Sequence, residues 1–169
     1  MIDRTLEWIE EVNREFRLKP KRVLDVGSRD TNGNPRYLFP DSEYIGIDFI
    51  EGENVDRVID AHDLSSEFSP NHFDTILCLH LLEHVARPWL VLEEINWVIK
   101  DEGYLYVAMP TVGYPVHEHP GDYWRATEQA MKEVIFNGYE ILSLEHAKST
   151  YGKHPVIHCL GVRDEVSIR

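Results

Sequence analysis

The stretch Arg22-Val23-Leu24-Asp25-Val26-Gly27 predicts the element around which this chain is organised. It is rich in β-branched residues and ends in glycine, which is typical of a short strand buried in a parallel sheet. Lys19-Pro20-Lys21 breaks the preceding helical pattern, and a polar loop over 28–34 follows. We therefore expect a central strand whose carboxyl end opens onto a polar loop.

Apolar runs on either side of this stretch extend the strand into a sheet. Further strands are predicted at 44–50, 55–60, 73–79, 104–109, 139–146 and 155–162, with helices at 1–16, 88–100 and 127–137 and a short helical segment at 35–39. Strands alternating with helices favour parallel pairing, whereas the short loop between the last two strands favours an antiparallel pair. The sequence thus predicts an α/β protein with a mostly parallel seven-stranded sheet, helices on both faces and an antiparallel last strand.

Composition and charge narrow the class of protein. The 169 residues are 43% hydrophobic and carry a formal net charge of −13. This composition predicts a single domain over residues 1–169, and the negative charge disfavours nucleic acid as a partner. No apolar run approaches the length of a membrane span, so no membrane association is expected. Cys78 and Cys159 fall in apolar strands and suggest no disulfide, which fits a cytoplasmic location.

The predicted strand ends place polar or small residues where a parallel sheet binds its ligands. The first strand ends in Asp25 and Gly27, and a glycine there lets the backbone approach a ligand closely. The second ends in Asp48, a carboxylate suited to accept hydrogen bonds from both hydroxyls of a ribose. The third ends in Asp60-Ala61, where the carboxylate suits an adenine amino group, and the fourth ends near His80. Together these groups indicate a ligand that carries adenosine.

Over nearly its whole length the sequence resembles the class I S-adenosylmethionine-dependent methyltransferases. The matching blocks are 23–27 (VLDVG), 44–48 (YIGID), 60–64 (DAHDL), 73–78 (FDTILC), 82–85 with 87–88 (LEHV, RP) and 103–107 (GYLYV). The chain is similar to the small, type 11-like members that resemble the ubiquinone-biosynthesis methyltransferases. The resemblance implies a Rossmann-like methyltransferase fold, S-adenosylmethionine as the cofactor and methyl transfer to an acceptor by in-line displacement.

The resemblance also implies a role for each matching residue. Asp25 and the backbone of Gly27 would hold the methionine end of the cofactor, completed by the backbone near His80. Asp48 would hold the ribose, and the Asp60-Ala61 pair would hold the adenine. The full set of expected cofactor residues is Asp25, Gly27, Ser28, Gly33, Asp48, Phe49, Asp60, Ala61 and His80.

The loop after the first strand departs from the family pattern. The family has closely spaced glycines there, G-x-G-x-G, whereas this chain has Gly27 and then no glycine before Gly33. Asn32 tolerates left-handed backbone conformations and is the expected substitute for one glycine. The absence of G-x-G-x-x-G disfavours a nicotinamide cofactor, and with it an oxidoreductase, because no loop remains to hold a pyrophosphate.

The loop over 111–126 is the predicted acceptor site, because it follows the fifth strand on the ligand side of the sheet. His117, His119 and Tyr123 are the candidate catalytic residues: His117 or His119 is the candidate general base, and Tyr123 with Trp124 is the candidate wall of the acceptor site. The alternative is that the run Asp122-Tyr123-Trp124-Arg125 only anchors the following helix. The acceptor is expected to be a small molecule or a group carried by a partner subunit, and a homo-oligomer is a further alternative.

Other functions compete with methyl transfer. The run His80-Leu81-Leu82-Glu83-His84 matches the H-x-x-E-H pattern of some zinc peptidases, in which two histidines on one helix face bind zinc. A metal held by His117 and His119 is a separate alternative. A third is a non-catalytic subunit or regulator that still binds S-adenosylmethionine. Methyl transfer is the favoured function, and its expected site includes no metal ligand.

Overall fold

A seven-stranded sheet forms the centre of the computed structural model, which describes residues 3–31, 33–117, 121–149 and 153–165. The strands are β1 (Arg22–Val26), β2 (Glu43–Asp48), β3 (Arg57–Val58), β4 (Phe73–Leu79), β5 (Ile99–Pro110), β6 (Tyr139–Lys148) and β7 (Pro155–Arg163). Their order in space is β3-β2-β1-β4-β5-β7-β6. β7 pairs antiparallel with both of its neighbours, and every other pairing is parallel. This topology confirms the predicted fold class.

Helices lie between the strands and cover both faces of the sheet. The α-helices are α1 (Asp3–Glu15), α2 (Leu64–Glu67), α3 (Pro88–Val98) and α4 (Glu128–Ala130), and short 3-10 turns occur at Arg36–Leu38, Ala61–Asp63 and Leu82–His84. None of the helices in the described ranges is long and apolar enough to cross a membrane.

The strand period of two divides the apolar side chains between two cores. On one face, Trp8, Ile9 and Val12 of α1 pack with Leu77 and Tyr106. The Trp8 ring also stacks on the imidazole of His158, with centroids 4.9 Å apart. The helix expected at 1–16 is therefore present over its described residues, and its apolar face is buried against the middle of the sheet.

The opposite face of the sheet holds the larger core. The residues that alternate with the first set, such as Ile76 and Cys78, are fully buried there with Val91 and Ile95 of α3. Burial raises the pKa of the Cys78 thiol well above its ordinary range. Cys78 and Cys159 are both buried free thiols, as the sequence predicts.

Two predicted boundaries are wrong near the ends of the sheet. The strand expected at 55–60 is only two residues long, because Asp60 leaves the strand to cap the 3-10 turn at 61–63. The helix expected to reach Lys100 ends at Val98, because Ile99 already pairs with Phe73 at the start of β4. The fifth strand therefore begins pairing at Ile99, before Gly103, whereas the sequence pattern places the start of this strand after that glycine.

The last helix differs in type from the prediction. Thr127 caps its N-terminus as expected, with its hydroxyl accepting from the Ala130 backbone N–H at 3.0 Å. After α4, however, residues 131–135 form a π turn, in which the Phe136 N–H donates to the carbonyl of Met131. Met131 and Phe136 are both buried, and a π turn brings residues five apart onto one face. Packing of this pair explains the deviation from a regular α-helix.

Two tryptophans test this account of the core. Trp8→Ala should lower the free energy of unfolding by about 3 kcal/mol or more, because it removes a side chain that is 1% exposed and leaves a cavity under α1. Trp97→Ala is the matched control: its side chain is 50% exposed, and the loss should stay below about 1 kcal/mol. Urea unfolding of the two variants measures both values, and equal losses would contradict the assignment of α1 to the core.

Candidate functional site

The carboxyl ends of the central strands border a cavity of about 600 Å³, a volume within the range of small-molecule sites. Eight of the nine residues predicted to bind the cofactor line it: Gly27, Ser28, Gly33, Asp48, Phe49, Asp60, Ala61 and His80. Asn32, the predicted glycine substitute, lies outside the described residues. The residues predicted from the strand ends therefore lie together in one site and are not scattered over the surface.

Asp25, the ninth residue, lies beneath this lining and is 1% exposed. Its Oδ2 accepts a hydrogen bond from the Tyr44 hydroxyl at 2.6 Å and one from the Asn54 side-chain amide at 3.3 Å. Burial raises the pKa of Asp25 to about 6, although these two hydrogen bonds oppose the rise. The pKa of Tyr44 is raised by burial and by the Asp25 carboxylate, so its hydroxyl stays protonated as a donor.

Asn54 connects this buried carboxylate to the cavity wall. Its side-chain amide also donates to the backbone carbonyl of Ser28 at 2.9 Å, and the Ser28 hydroxyl donates back to the Asn54 carbonyl at 2.9 Å. The backbone of Asn54 is left-handed, with φ of 66°. A Cβ on Gly46 would collide with the Asn54 carbonyl oxygen and with the Ser28 hydroxyl, so this part of β2 requires glycine.

Arg36, in the 3-10 turn after β1, also contacts Asn54 and Tyr44. Its Nε donates to the Asn54 side-chain oxygen at 2.7 Å, and its guanidinium pairs with Asp56 at 2.5 Å. The same group stacks over the Tyr44 ring, 4.5 Å from the centroid. Tyr44, Asn54 and Arg36 were not among the predicted site residues, because their roles depend on contacts between separate loops.

One end of the cavity carries groups that suit an adenosine. Asp48 Oδ1 accepts from the Ile50 N–H at 3.1 Å, which fixes the carboxylate at the end of β2. The Phe49 side chain is 54% exposed and offers an apolar ring to the cavity. Burial raises the pKa of Asp60, but hydrogen bonds from the backbone and ring of His62 outweigh this effect and lower it overall. Asp60 is therefore held as an acceptor beside the cavity.

The other end of the cavity lies at the end of β4, where His80 has a positive φ of 53°. Its backbone N–H donates to the Ala108 carbonyl at 2.7 Å. Its Nε2 lies 3.1 Å from the Thr5 hydroxyl, which in turn lies 3.2 Å from Nε2 of His158. Burial lowers the pKa of His158 to about 4, so that ring is neutral near pH 7. Helix α1 thus contributes a polar contact to the site as well as apolar packing.

The loop at 111–126 packs against the residues that follow β4. The Tyr123 N–H donates to the Glu83 carbonyl at 2.7 Å, and the Trp124 indole N–H donates to the Val85 carbonyl at 2.8 Å. Asp122 forms a partly buried ion pair with Arg125, which holds the pKa of that carboxyl well below its usual range. These contacts support the anchoring role that the sequence left open for 122–125.

The predicted catalytic residues of this loop differ in position. His117 lies next to His84, with ring centroids 5.0 Å apart, and its Nδ1 is 3.2 Å from Asp122 Oδ2. The Tyr123 side chain is 58% exposed and does not line the cavity within the described part of the chain. His119 lies outside the described residues. The structure therefore brings His117, and not Tyr123, to the wall behind the cavity.

Glu83 and His84 also belong to this region, although neither was predicted to bind the cofactor or to act in methyl transfer. His84 lines the cavity, and its Nδ1 donates to the Gly121 carbonyl, which leaves the Nε2 lone pair free. Glu83 is completely buried, and neither of its carboxylate oxygens has a hydrogen-bond partner among the described residues. The sequence signals for these two residues were the H-x-x-E-H pattern and the family-matching block at 82–85, and neither signal assigned them a role in the methyltransferase site.

The geometry required by that zinc-peptidase pattern is absent. His80 lies in the left-handed region at the end of β4, and the following turn at Leu82–His84 is a 3-10 turn rather than an α-helix. The two histidines consequently do not share the helix face that the pattern needs.

Comparison with known proteins agrees with this fold. A family model described as a methyltransferase domain matches residues 2–152 of the chain. The chain belongs to this family of methyltransferase domains. The resemblance to class I S-adenosylmethionine-dependent methyltransferases is thereby confirmed, and so is S-adenosylmethionine as the cofactor at the level of the family.

Curated relatives cover part of this methyltransferase domain. Ubiquinone biosynthesis O-methyltransferases from Dechloromonas aromatica and Pseudomonas syringae pv. tomato are 28% identical over 117 residues and 30% identical over 115 residues. The alignments cover 61% and 60% of this chain and 49% and 48% of those proteins. The chain thus spans about half the length of the curated relatives it matches.

A solved structure supports the same fold. The 1,6-didemethyltoxoflavin-N1-methyltransferase of Burkholderia thailandensis, solved with 1,6-didemethyltoxoflavin and S-adenosylhomocysteine bound, superposes with a TM-score of 0.79. The match covers 95% of this chain and 79% of that chain at 13% identity, so the likeness concerns the fold alone.

The raised pKa of Asp25 predicts a pH-dependent stability. Because the folded state favours the protonated acid, raising the pH from 5 to 8 should destabilise the wild type by about 1.4 kcal/mol through this group alone, given an unfolded pKa of 3.8. Asp25→Asn removes this term, so the stability of the variant relative to wild type should increase by that amount over the same range. Urea unfolding of both proteins at each pH measures the change, and a constant difference would show that Asp25 keeps an ordinary pKa.

Proposed function

We propose that this chain binds S-adenosylmethionine in the cavity and transfers its methyl group to an acceptor that approaches from the side of the 111–126 loop. The observation that carries the proposal is the separation of groups along the cavity. Asp48, Phe49 and Asp60 lie at one end, and His80 and His84 lie at the other. The domain that performs this function is proposed to be a single unit over residues 1–169.

The adenosine half of the cofactor would be held by three side chains. Asp48 would accept hydrogen bonds from the ribose hydroxyls, because its carboxylate is fixed by the backbone N–H of Ile50 and lines the cavity. The Phe49 ring would pack on the adenine, and Asp60 with the Ala61 backbone would bind the adenine edge. All four residues are adjacent along the cavity wall.

The methionine half would lie over the end of β1. Gly27 has a φ of 80°, a conformation that suits glycine and leaves its backbone open to a ligand. Ser28, positioned by Asn54, forms the adjoining wall. Asp25, which lies beneath the cavity lining, would hold Asn54 in place and would add negative charge near a cationic ligand.

S-adenosylmethionine supplies an electrophilic methyl group on a sulfonium, whose transfer to a nucleophile is favourable without further activation. The main task of the protein is then to position the acceptor, an effect worth up to about 7–11 kcal/mol. His84 lines the cavity on the acceptor side, and His117 lies behind it. His117 and the loop that contains His119 and Tyr123 are proposed to shape this end of the site.

The acceptor is proposed to be a small molecule or a group carried by a partner protein. The curated relatives are named as O-methyltransferases and the solved structure as an N1-methyltransferase, so their names favour a small acceptor without fixing the accepting atom.

Titration calorimetry tests the cofactor proposal. Wild-type protein should bind S-adenosylmethionine and S-adenosylhomocysteine, and Asp48→Ala should weaken both by about tenfold or more, because it removes charge-assisted hydrogen bonds to the ribose. Asp41→Ala is the matched control, since Asp41 is exposed and lies outside the cavity lining. Its affinity should equal that of the wild type.

The outcomes separate clearly. Binding that is lost in the Asp48 variant and kept in the Asp41 variant supports the proposed site. A folded wild-type protein that binds neither ligand overturns the methyltransferase function, and equal loss in both variants places the ligand elsewhere.

A further inference from the structure

A cluster of three metal-ligand side chains lies at the acceptor end of the cavity. One ligand atom from each of Glu83, His84 and His117 lies within 4.8 Å of the other two. Glu83 and His84 come from the turn after β4, whereas His117 comes from the 111–126 loop. The fold therefore assembles these side chains from two segments that are distant in sequence.

Glu83 gives an independent reason to place a cation there. Its carboxylate is buried, and within the described ranges neither oxygen accepts a hydrogen bond. The nearest histidine nitrogens, Nδ1 of His80 and Nε2 of His84, are 3.6 and 3.9 Å from Oε1, which is too far for a hydrogen bond. A buried carboxylate without partners is costly, and a bound metal ion removes that cost.

The nearby arginine does not neutralise Glu83 directly. Arg125 uses all five N–H groups elsewhere: two bind Asp122, and three bind the carbonyls of Tyr114, Pro115 and Trp124. Arg125 therefore attracts the Glu83 carboxylate through space but donates no hydrogen bond to it.

His84 is oriented for metal binding, and His117 lies within reach of the same position. His84 donates Nδ1–H to the Gly121 carbonyl, and this contact leaves the Nε2 lone pair available as a ligand. The Nδ1 of His117 lies 3.2 Å from Asp122 Oδ2 but is buried without a hydrogen-bond partner among the described residues, so no hydrogen bond there competes with a metal ion for this nitrogen. Two imidazoles and one carboxylate form a ligand set suited to zinc and to related first-row metals.

We propose that Glu83, His84 and His117 bind one divalent first-row transition-metal ion at the acceptor end of the cavity. Bound ions of this kind hold their ligand atoms about 3–3.5 Å apart. The ligand atoms therefore have to approach one another by at most roughly 1.8 Å on binding, a movement that the half-buried rings of His84 and His117 can supply.

The position of His84 in the cavity lining gives the ion access to ligands from solvent. Three protein ligands leave at least one coordination position open, as in catalytic zinc sites. That position would take an oxygen or nitrogen donor of the acceptor. This use of the ion rests on the methyltransferase function proposed above, whereas metal binding itself does not.

Metal titration of chelator-stripped full-length protein tests the proposal. Zn²⁺ is measured by equilibrium dialysis with elemental analysis, and Co²⁺ by its visible absorption, which reports the ligand environment. Wild type should bind one ion per chain, and each of Glu83→Gln, His84→Ala and His117→Ala should weaken binding at least about tenfold. His146→Ala is the matched control, because its exposed side chain contacts Glu128 away from the cavity and its removal should change nothing.

Folding and cofactor binding are followed on the same samples. Thermal melting shows whether each variant is folded, and His117→Ala is the decisive variant because it removes a half-buried loop residue rather than a buried one. Wild type that binds no Zn²⁺ or Co²⁺ overturns the proposal, as does a folded His117→Ala variant that binds like wild type. Titration with S-adenosylhomocysteine keeps the two proposals apart, since a protein that binds this ligand but binds neither Zn²⁺ nor Co²⁺ retains the first proposal and loses the second.

Discussion

The buried carboxylate of Asp25 is the constraint on which the cavity depends. A carboxylate inside a sheet needs donors that backbone pairing does not supply, and here they come from Tyr44 of the neighbouring strand and from Asn54 of the loop beyond it. Asn54 can reach Asp25 only with a left-handed backbone and a glycine at position 46. Holding Asn54 also fixes Ser28, and with it the wall of the cavity.

The hydrogen bonds of Asn54 with Asp25 and Arg36 explain how short connections can hold the cavity wall in place. In the described residues between β1 and β3, the only helical element is the 3-10 turn at Arg36–Leu38. Arg36 ties that turn to Asn54 and Asp56, and Asp56 in turn accepts from the backbone of Gly46. Side-chain hydrogen bonds thereby do the positioning that longer helices would otherwise provide. In the loop after β1, Gly27 and Gly33 are far apart in sequence. Ser28, the wall residue in this loop, is instead held by hydrogen bonds with Asn54.

The sequence predicted the strands and the strand-end residues because both follow local rules. A continuous apolar run identifies a buried strand such as β4, and a parallel sheet brings the ends of its strands together whatever the loops do. Asp48 and Asp60 were found in this way. Contacts between loops do not follow from local pattern, so the partners of Asp25 and the meeting of Glu83 with His117 were missed. The π turn after α4 was missed for the same reason, since it depends on how Met131 and Phe136 pack.

The distribution of charge connects the two ends of the cavity. Asp25, Asp48 and Asp60 lie in or under one part of the site, Glu83 lies behind the other, and the chain as a whole carries a net charge of −13. Such a site repels the pyrophosphate of a dinucleotide, and it attracts a cofactor whose reactive centre is a sulfonium cation. Under the proposed function, loss of the methyl group would remove that positive charge and with it this electrostatic contribution to binding. The metal ion proposed beside Glu83 would offset negative charge at the acceptor end of the cavity, whereas Asp48 and Asp60 would keep theirs at the other end.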